Sequence, residues 1–170
     1  MHYNTGAFIS EGEAALIDPG LFADEFDALR ALLRAQRAEP RWLVLTHSHW
    51  DHLLGPERFP GVTVVAHNRY RDIAQREAED IRWALEDWWR RVNVHRDSRF
   101  VVPLPDVTVG DSGTLRVGGL TLELRHVPGH AADQLAVYHA ESGALWASDI
   151  LSDTEIPYVS DSLHAYGLTL

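Results

Sequence analysis

Residues 41–52 read "RWLVLTHSHWDH", a short apolar run that passes directly into three histidines and an aspartate. A brief apolar run bounded by polar residues predicts a strand buried on both faces, and the histidines begin where that strand ends. His47 and His49 are two positions apart, so an extended backbone sends both imidazoles to the same side. Asp51 and His52 follow as the chain turns away, which lets them face a second point nearby.

Upstream of this run, "YNTGAFI" (3–9) and "EAALID" (13–18) predict two short strands joined around Gly12. The stretch "LFADEFDALRALLRAQRA" (21–38) then places Phe22, Phe26, Leu29 and Leu33 on one helical stripe, with acids at its start and arginines at its end, as the helix dipole favours. Downstream, "GVTVVAH" (61–67) predicts another strand, followed by one helix over residues 68–92. Its stripe of Ile81, Leu85, Trp88 and Val92 is assigned to the core. Trp83 lies on another face and Trp89 off the centre of the stripe, so both are candidates for lining a pocket or meeting a partner.

The rest of the chain alternates apolar and polar residues between glycine turns, in "VPLPDVTVGDSG" (102–113), "TLRVGGLTLELRHVPGH" (114–130), "QLAVYHA" (134–140) and "ALWASDIL" (144–151), and predicts a series of strands. The final "SDSLHAYGLTL" (160–170) begins with a serine suited to cap a helix. Strand and helix are mixed along 170 residues with no linker or repeat, so a single domain over 1–170 is expected.

Composition narrows the chemistry. Cysteine is absent, which excludes disulfides, thiolate metal sites and a cysteine nucleophile. All 15 basic residues are arginine, which excludes lysine Schiff-base chemistry and a P-loop lysine. The net charge of −10 argues against a nucleic-acid partner and for a small-molecule substrate. No run approaches the ~20 apolar residues that span a bilayer, and the first residues lack a secretory pattern. A cytoplasmic location without membrane attachment is therefore expected, and homo-oligomerisation is left open.

Two further groups join the first cluster. His130 follows the Pro128-Gly129 turn, and Asp149 ends "ALWAS", so all six groups fall at strand ends, where α/β sheets commonly place their sites. Imidazole nitrogens suit zinc and similar metals, and a carboxylate can bridge two cations. Asp18, in "ALIDPG", has two readings: an orienting group behind a ligand histidine, or an ordinary turn residue before proline. His126 reads first as a half-buried structural histidine and second as a neighbour of the site. His2, His67, His95 and His139 carry no assignment.

Together, "THSHWDH", "PGH" and "SD" resemble the HxHxDH, distal histidine and aspartate pattern of the metallo-β-lactamase-fold hydrolases, and "ALIDPG" is similar to a turn near that family's start. The resemblance runs from about residue 4 to the end of the chain. It implies an α/β (α+β) fold, a four-layer αββα sandwich of two mixed β-sheets. It also implies that His47, His49 and His130 hold one metal, that Asp51 and His52 hold a second, and that Asp149 bridges them. The implied cofactor is zinc, two ions in the complete protein, with iron or manganese as alternatives. The family's last ligand, a downstream histidine, has no counterpart before Leu170. A chain truncated at its C-terminus is the leading expectation, beside a one-metal variant and a substitute ligand in His164.

The implied activity is hydrolysis of a small ester, thioester, lactone or phosphodiester by a metal-bound hydroxide that Asp51 helps hold. An aspartate at 149 looks more like glyoxalase II, lactonases and phosphodiesterases than like true β-lactamases, which carry cysteine or serine there. The C-terminal helical domain typical of glyoxalase II is not seen in the sequence, which broadens the expected substrate class. Two alternatives stand beside this reading: a mononuclear iron oxidoreductase resembling persulfide dioxygenases, using His49, His130 and Asp149, and an inactive fragment or structural metal-binding domain.

Overall fold

The computed structural model describes residues 4–96, 98–152, 156 and 158–170. His2 lies outside these. The hairpin of β1 (Gly6–Ser10) and β2 (Glu13–Ile17) turns at Glu11 and Gly12, both in the left-handed region. Helix α1 (Ala23–Gln36) follows, its start satisfied by the Glu25 carboxylate, which accepts the N–H groups of Leu21 and Phe22. It returns the chain to β3 (Glu39–Val44), which lies parallel to β2. After a 3-10 turn (Trp50–His52) and the short α2 (Gly55–Arg58), β4 (Thr63–His67) adds in parallel. Helices α3 (Tyr70–Arg76) and α4 (Ala78–Arg91) lead to β5 (Val107–Val109), which completes a mixed sheet in the order β1-β2-β3-β4-β5.

The second sheet is built from β6 (Ser112–Val117), β7 (Leu120–His126), β8 (Leu135–His139) and β9 (Ala144–Trp146), in that order. The sequence reading expected two mixed sheets; this one is antiparallel throughout. Its connections are too short for the crossover that parallel neighbours require.

Alternation along β2 divides the interior. Ala14 and Leu16 join Leu43, Phe26, Leu29 and Leu33 in a core between sheet and helices. Ala15 and Ile17 face the other way, with Val44 and Val65, against Leu115, Val117, Leu122, Leu124 and Val137 of the second sheet. Thr121 and Arg125 on the second sheet's far side are exposed. The last helix, α5 (Leu163–Thr169), buries none of its residues and bonds to Pro128 and Ile150. Three layers are thus formed among the described residues, and the outer helical layer of an αββα sandwich is not completed by them.

The expected helix over 68–92 is two helices that meet at Glu77 (φ −99°, ψ 11°). The buried stripe of α4 is Ile81, Leu85 and Trp89. Trp89, expected to line a pocket or contact a partner, is 8% exposed and belongs to the core, packing edge-on to Phe100 beneath the Arg96 guanidinium. Trp88, expected in the core stripe, is half-buried and packs against the edge of the core together with Phe22 and Trp50. Trp83 is 66% exposed.

The sheets meet at the histidine cluster. The N–H of Leu135, at the start of β8, donates to the carbonyl of Thr46, just beyond β3, at 2.8 Å. This contact brings the 127–134 loop of the second sheet to the end of a central strand of the first.

Candidate metal centre

Three imidazoles converge at that junction. His130 Nε2 lies 3.1 Å from His47 Nε2 and 2.9 Å from His49 Nδ1. The outer nitrogen of each ring shows where its proton sits. His130 Nδ1 meets the carbonyl oxygen of Tyr158, which only accepts, so Nδ1 carries the proton. His49 Nε2 lies 3.2 Å from Ser160 Oγ, whose own proton goes to the carbonyl of His130, so Nε2 donates. His47 Nδ1 lies 3.0 Å from Thr46 Oγ1, whose proton is drawn to the Asp18 carboxylate at 2.6 Å, so Nδ1 donates here too.

All three inner nitrogens therefore present lone pairs to one another with no proton between them. Such contacts are repulsive unless a cation sits among them. Tetrahedral zinc with bonds of about 2.0–2.1 Å would set its nitrogen ligands roughly 3.3 Å apart, close to the spacing seen. Burial, reinforced by the neighbouring imidazoles, lowers the pKa of His47 well below its usual value and that of His49 to about 3. Burial also lowers that of His130, against the Tyr158 carbonyl and Asp149. Neutral imidazole is the form that binds metal.

A second cluster adjoins the first. The ligand atoms of His47, His52 and Asp149 lie within 4.8 Å of one another. His52 Nε2 is 3.5 Å from Asp149 Oδ1 and 3.7 Å from Asp51 Oδ2, while Asp149 Oδ2 is 3.7 Å from His130 Nε2. One Asp149 oxygen thus faces each cluster. These separations are long for hydrogen bonds but suit pairs of ligand atoms around one ion. The carboxylates hold the His52 pKa well above its usual value although burial alone would lower it. Burial raises the pKa of Asp51, while for Asp149 its effect is outweighed by His52, His130 and His49, leaving about 2.

The frame behind these groups is hydrogen-bonded. Asp18 is 1% exposed and holds a left-handed conformation (φ 43°). Its carboxylate accepts the Thr46 N–H (2.8 Å) and hydroxyl and the Ser148 hydroxyl (3.3 Å), and lies 3.0 Å from His52 Nδ1. Both readings of Asp18 therefore hold, as a turn residue and as the group behind His52. Turned so that its oxygen faces them, the buried Gln134 amide accepts the N–H groups of Asp149 and Ile150 at 3.2 and 3.1 Å. It fixes the 3-10 turn (Ser148–Ile150) that presents Asp149.

The six groups named from the sequence thus come together. His164 is exposed on α5 and belongs to neither cluster. His126 is half-buried, stacks on buried His67 at 3.9 Å and 7°, and approaches Asp111 at 3.9 Å. Rings so nearly parallel cannot aim in-plane lone pairs at one ion, so this third group is read as a stacked histidine pair. Thr46, Ser148 and Gln134 were not singled out in the sequence, although Thr46 and Ser148 adjoin ligand candidates; Ser160 was marked only as a helix cap, a part that Ser162 takes by accepting the Ala165 N–H.

A family model described as the metallo-beta-lactamase superfamily matches residues 2–168. A hydroxyacylglutathione hydrolase of Ectopseudomonas mendocina (strain ymp) is 29% identical over 141 residues, covering 81% of this chain and 42% of its own length. Among solved structures, a metallo-beta-lactamase family protein from Thermus thermophilus superposes with a TM-score of 0.74 at 24% identity, over 98% of this chain and 62% of that one. A protein crystallised in a di-iron-bound form gives 0.71 at 21% identity, over 98% and 77%. The chain spans less than half the length of the curated relatives it matches.

Proposed function

Because the chain belongs to the metallo-beta-lactamase superfamily, we propose that it is a metal-dependent hydrolase of small thioesters, with related esters and lactones as secondary substrates. The observation that carries this reading is the pair of adjoining ligand clusters with one Asp149 oxygen turned to each. The thioester preference rests on relatives named hydroxyacylglutathione hydrolases.

In this reading His47, His49 and His130 would hold the first ion and Asp51 and His52 the second, with Asp149 between the two groups. Bound zinc supplies Lewis acidity, lowering the pKa of water toward about 7 and polarising a carbonyl. The chain supplies placement. Asp51 would hold and orient the attacking water through its carboxylate. Asp18 keeps His52 in place, and Thr46 keeps His47 in place. Addition of water across the acyl–sulfur bond yields a carboxylic acid and a thiol.

A panel of acyl-thiol, ester and lactone substrates tests the proposal on protein loaded with zinc, iron or manganese. Thioester turnover that disappears on chelation and in His47→Ala, and returns to the wild type with added metal, is expected. Chelation-insensitive turnover, or none at stoichiometric metal, overturns it. An iron oxidoreductase is the second reading; the sequence assigned it His49, His130 and Asp149, whereas the two-histidine, one-carboxylate group that forms in the structure is His47, His52 and Asp149. Metal analysis of protein purified without added metal, with an oxygen-consumption assay, distinguishes the two.

A further inference from the structure

We propose that Ser160 is a positioning residue that locks His49 and His130 together, so that the affinity of the three-histidine site depends on the segment 158–162 as well as on the ligands. The inference rests on the metal-site reading above and concerns a residue outside the histidine and aspartate motifs.

One hydroxyl joins two of the candidate ligands. Ser160 Oγ donates to the carbonyl oxygen of His130 and accepts from His49 Nε2 at 3.2 Å. Its backbone N–H donates to the same carbonyl at 3.0 Å, and the carbonyl of Tyr158 accepts from His130 Nδ1. The N–H groups of Asp161 and Ser162 add bonds to the carbonyl of Gly129, at 3.3 and 3.1 Å. The segment is therefore stitched to the loop that carries His130, and its one bond from a side chain to a ring reaches His49 on the opposite sheet.

Neither ring is held in this way by its own strand. His49 comes from the loop after β3 and His130 from the loop after β7, and Ser160 spans the gap between them. Because its proton is committed to the His130 carbonyl, the hydroxyl offers His49 only a lone pair. The His49 ring is thereby held with its Nε2 proton outward and its Nδ1 lone pair toward the centre. Groups that hold a ligand imidazole in this manner fix its orientation and raise its basicity.

The chain is tested as Ser160→Ala and Ser160→Thr by zinc competition against a chromophoric chelator and by the visible spectrum of the cobalt-substituted protein. Loss of the hydroxyl is expected to weaken the first ion by about 10–100-fold and to alter the cobalt spectrum. The threonine variant, which keeps the hydroxyl, is expected to restore both, and the metal-free alanine variant to melt with the wild type. Equal zinc affinity in alanine variant and wild type overturns the inference and leaves the hydrolase reading standing; a wild type that binds no zinc overturns both. Should the alanine variant not fold, imidazole nitrogen NMR of the unaltered protein decides. Protons on His49 Nε2 and His130 Nδ1 are expected, and the opposite tautomer on His49 overturns the inference.

Discussion

Asp18 Oδ2 lies 3.0 Å from His52 Nδ1, joining the end of β2 to the turn that carries the second half of the histidine motif. The same oxygen takes the Thr46 hydroxyl proton, and Thr46 in turn accepts from His47, so one buried carboxylate supports both ligand clusters. Asp18→Ala is therefore expected to weaken both ions, by about 10–100-fold. It also leaves the Thr46 N–H without its acceptor, at a cost of about 1–3 kcal/mol. Chelator competition and urea denaturation check the two effects, and wild-type values in both would refute the assignment.

Removing a single converging nitrogen should be enough to empty the first site. In His130→Ala the three-histidine group becomes a pair, and Asp149 Oδ2 loses the imidazole it faces at 3.7 Å. Metal content by mass spectrometry is expected to fall by at least one ion per chain. The metal-free variant should be no less stable than metal-free wild type, because the crowding of three lone pairs is relieved. A variant that retains full metal content would remove His130 from the ligand set.

Legibility in the sequence followed the range of each interaction. The candidates in the HxHxDH run were readable because metal chemistry accepts few residue types and that spacing is local, whereas His130 and Asp149 joined them through the strand ends they follow and the resemblance to the family pattern. The strand before them was readable because a parallel strand buried on both faces shows as a continuous apolar run, as in residues 42–45. Trp89 was misassigned because a periodic stripe gives only a direction. Phe22 and Trp50 draw Trp88 aside, whereas Phe100 and Arg96 enclose Trp89. Ser160 was marked as a helix cap, which Ser162 is instead, and its part at the metal centre did not show because its partners His49 and His130 are distant in sequence and a lone serine carries no spacing. The antiparallel second sheet could have been anticipated from its short connections.

Asp133 gives a pH signature separate from the ligands. Burial raises its carboxyl to about 6, an effect that Ser48 only partly offsets. The folded state therefore holds this proton more tightly than the unfolded chain. Its contribution is favourable at low pH and is lost as pH rises from the ordinary carboxylate range through about 6, by up to about 3 kcal/mol. Asp133→Asn lacks this loss, so the stability of variant relative to wild type should rise across that window. Denaturant unfolding of metal-free protein at intervals from about pH 4 to about pH 7 measures the difference; a flat difference would contradict it.

The two tryptophans of opposite fate on α4 should separate cleanly. Trp89→Ala opens a cavity beside Phe100 and removes the ring beneath Arg96, at an expected cost of about 3–5 kcal/mol. Trp83→Ala alters an exposed side chain and should change stability by no more than about 0.5 kcal/mol. Denaturation of both variants checks the order, and equal losses would refute the burial pattern.

Gly129 is the point at which the C-terminal helix presses on the candidate metal centre. Its φ of 139° is a conformation that side chains avoid, and a Cβ there would collide with Tyr166 Cα and stand 2.7 Å from its N. Both are backbone atoms of α5, so the helix would have to move as a body. Gly129→Ala is accordingly expected to cost about 1–3 kcal/mol from backbone strain alone. Displacing α5 also strains the Thr169 bond to Pro128 and the bonds from Asp161 and Ser162 to the Gly129 carbonyl. The variant should therefore be cut sooner by protease within residues 158–170 and bind the first ion more weakly. Adding Tyr166→Ala should not rescue it, because the obstructing atoms Cα and N remain; rescue by that second change would show that the contact is made by the side chain.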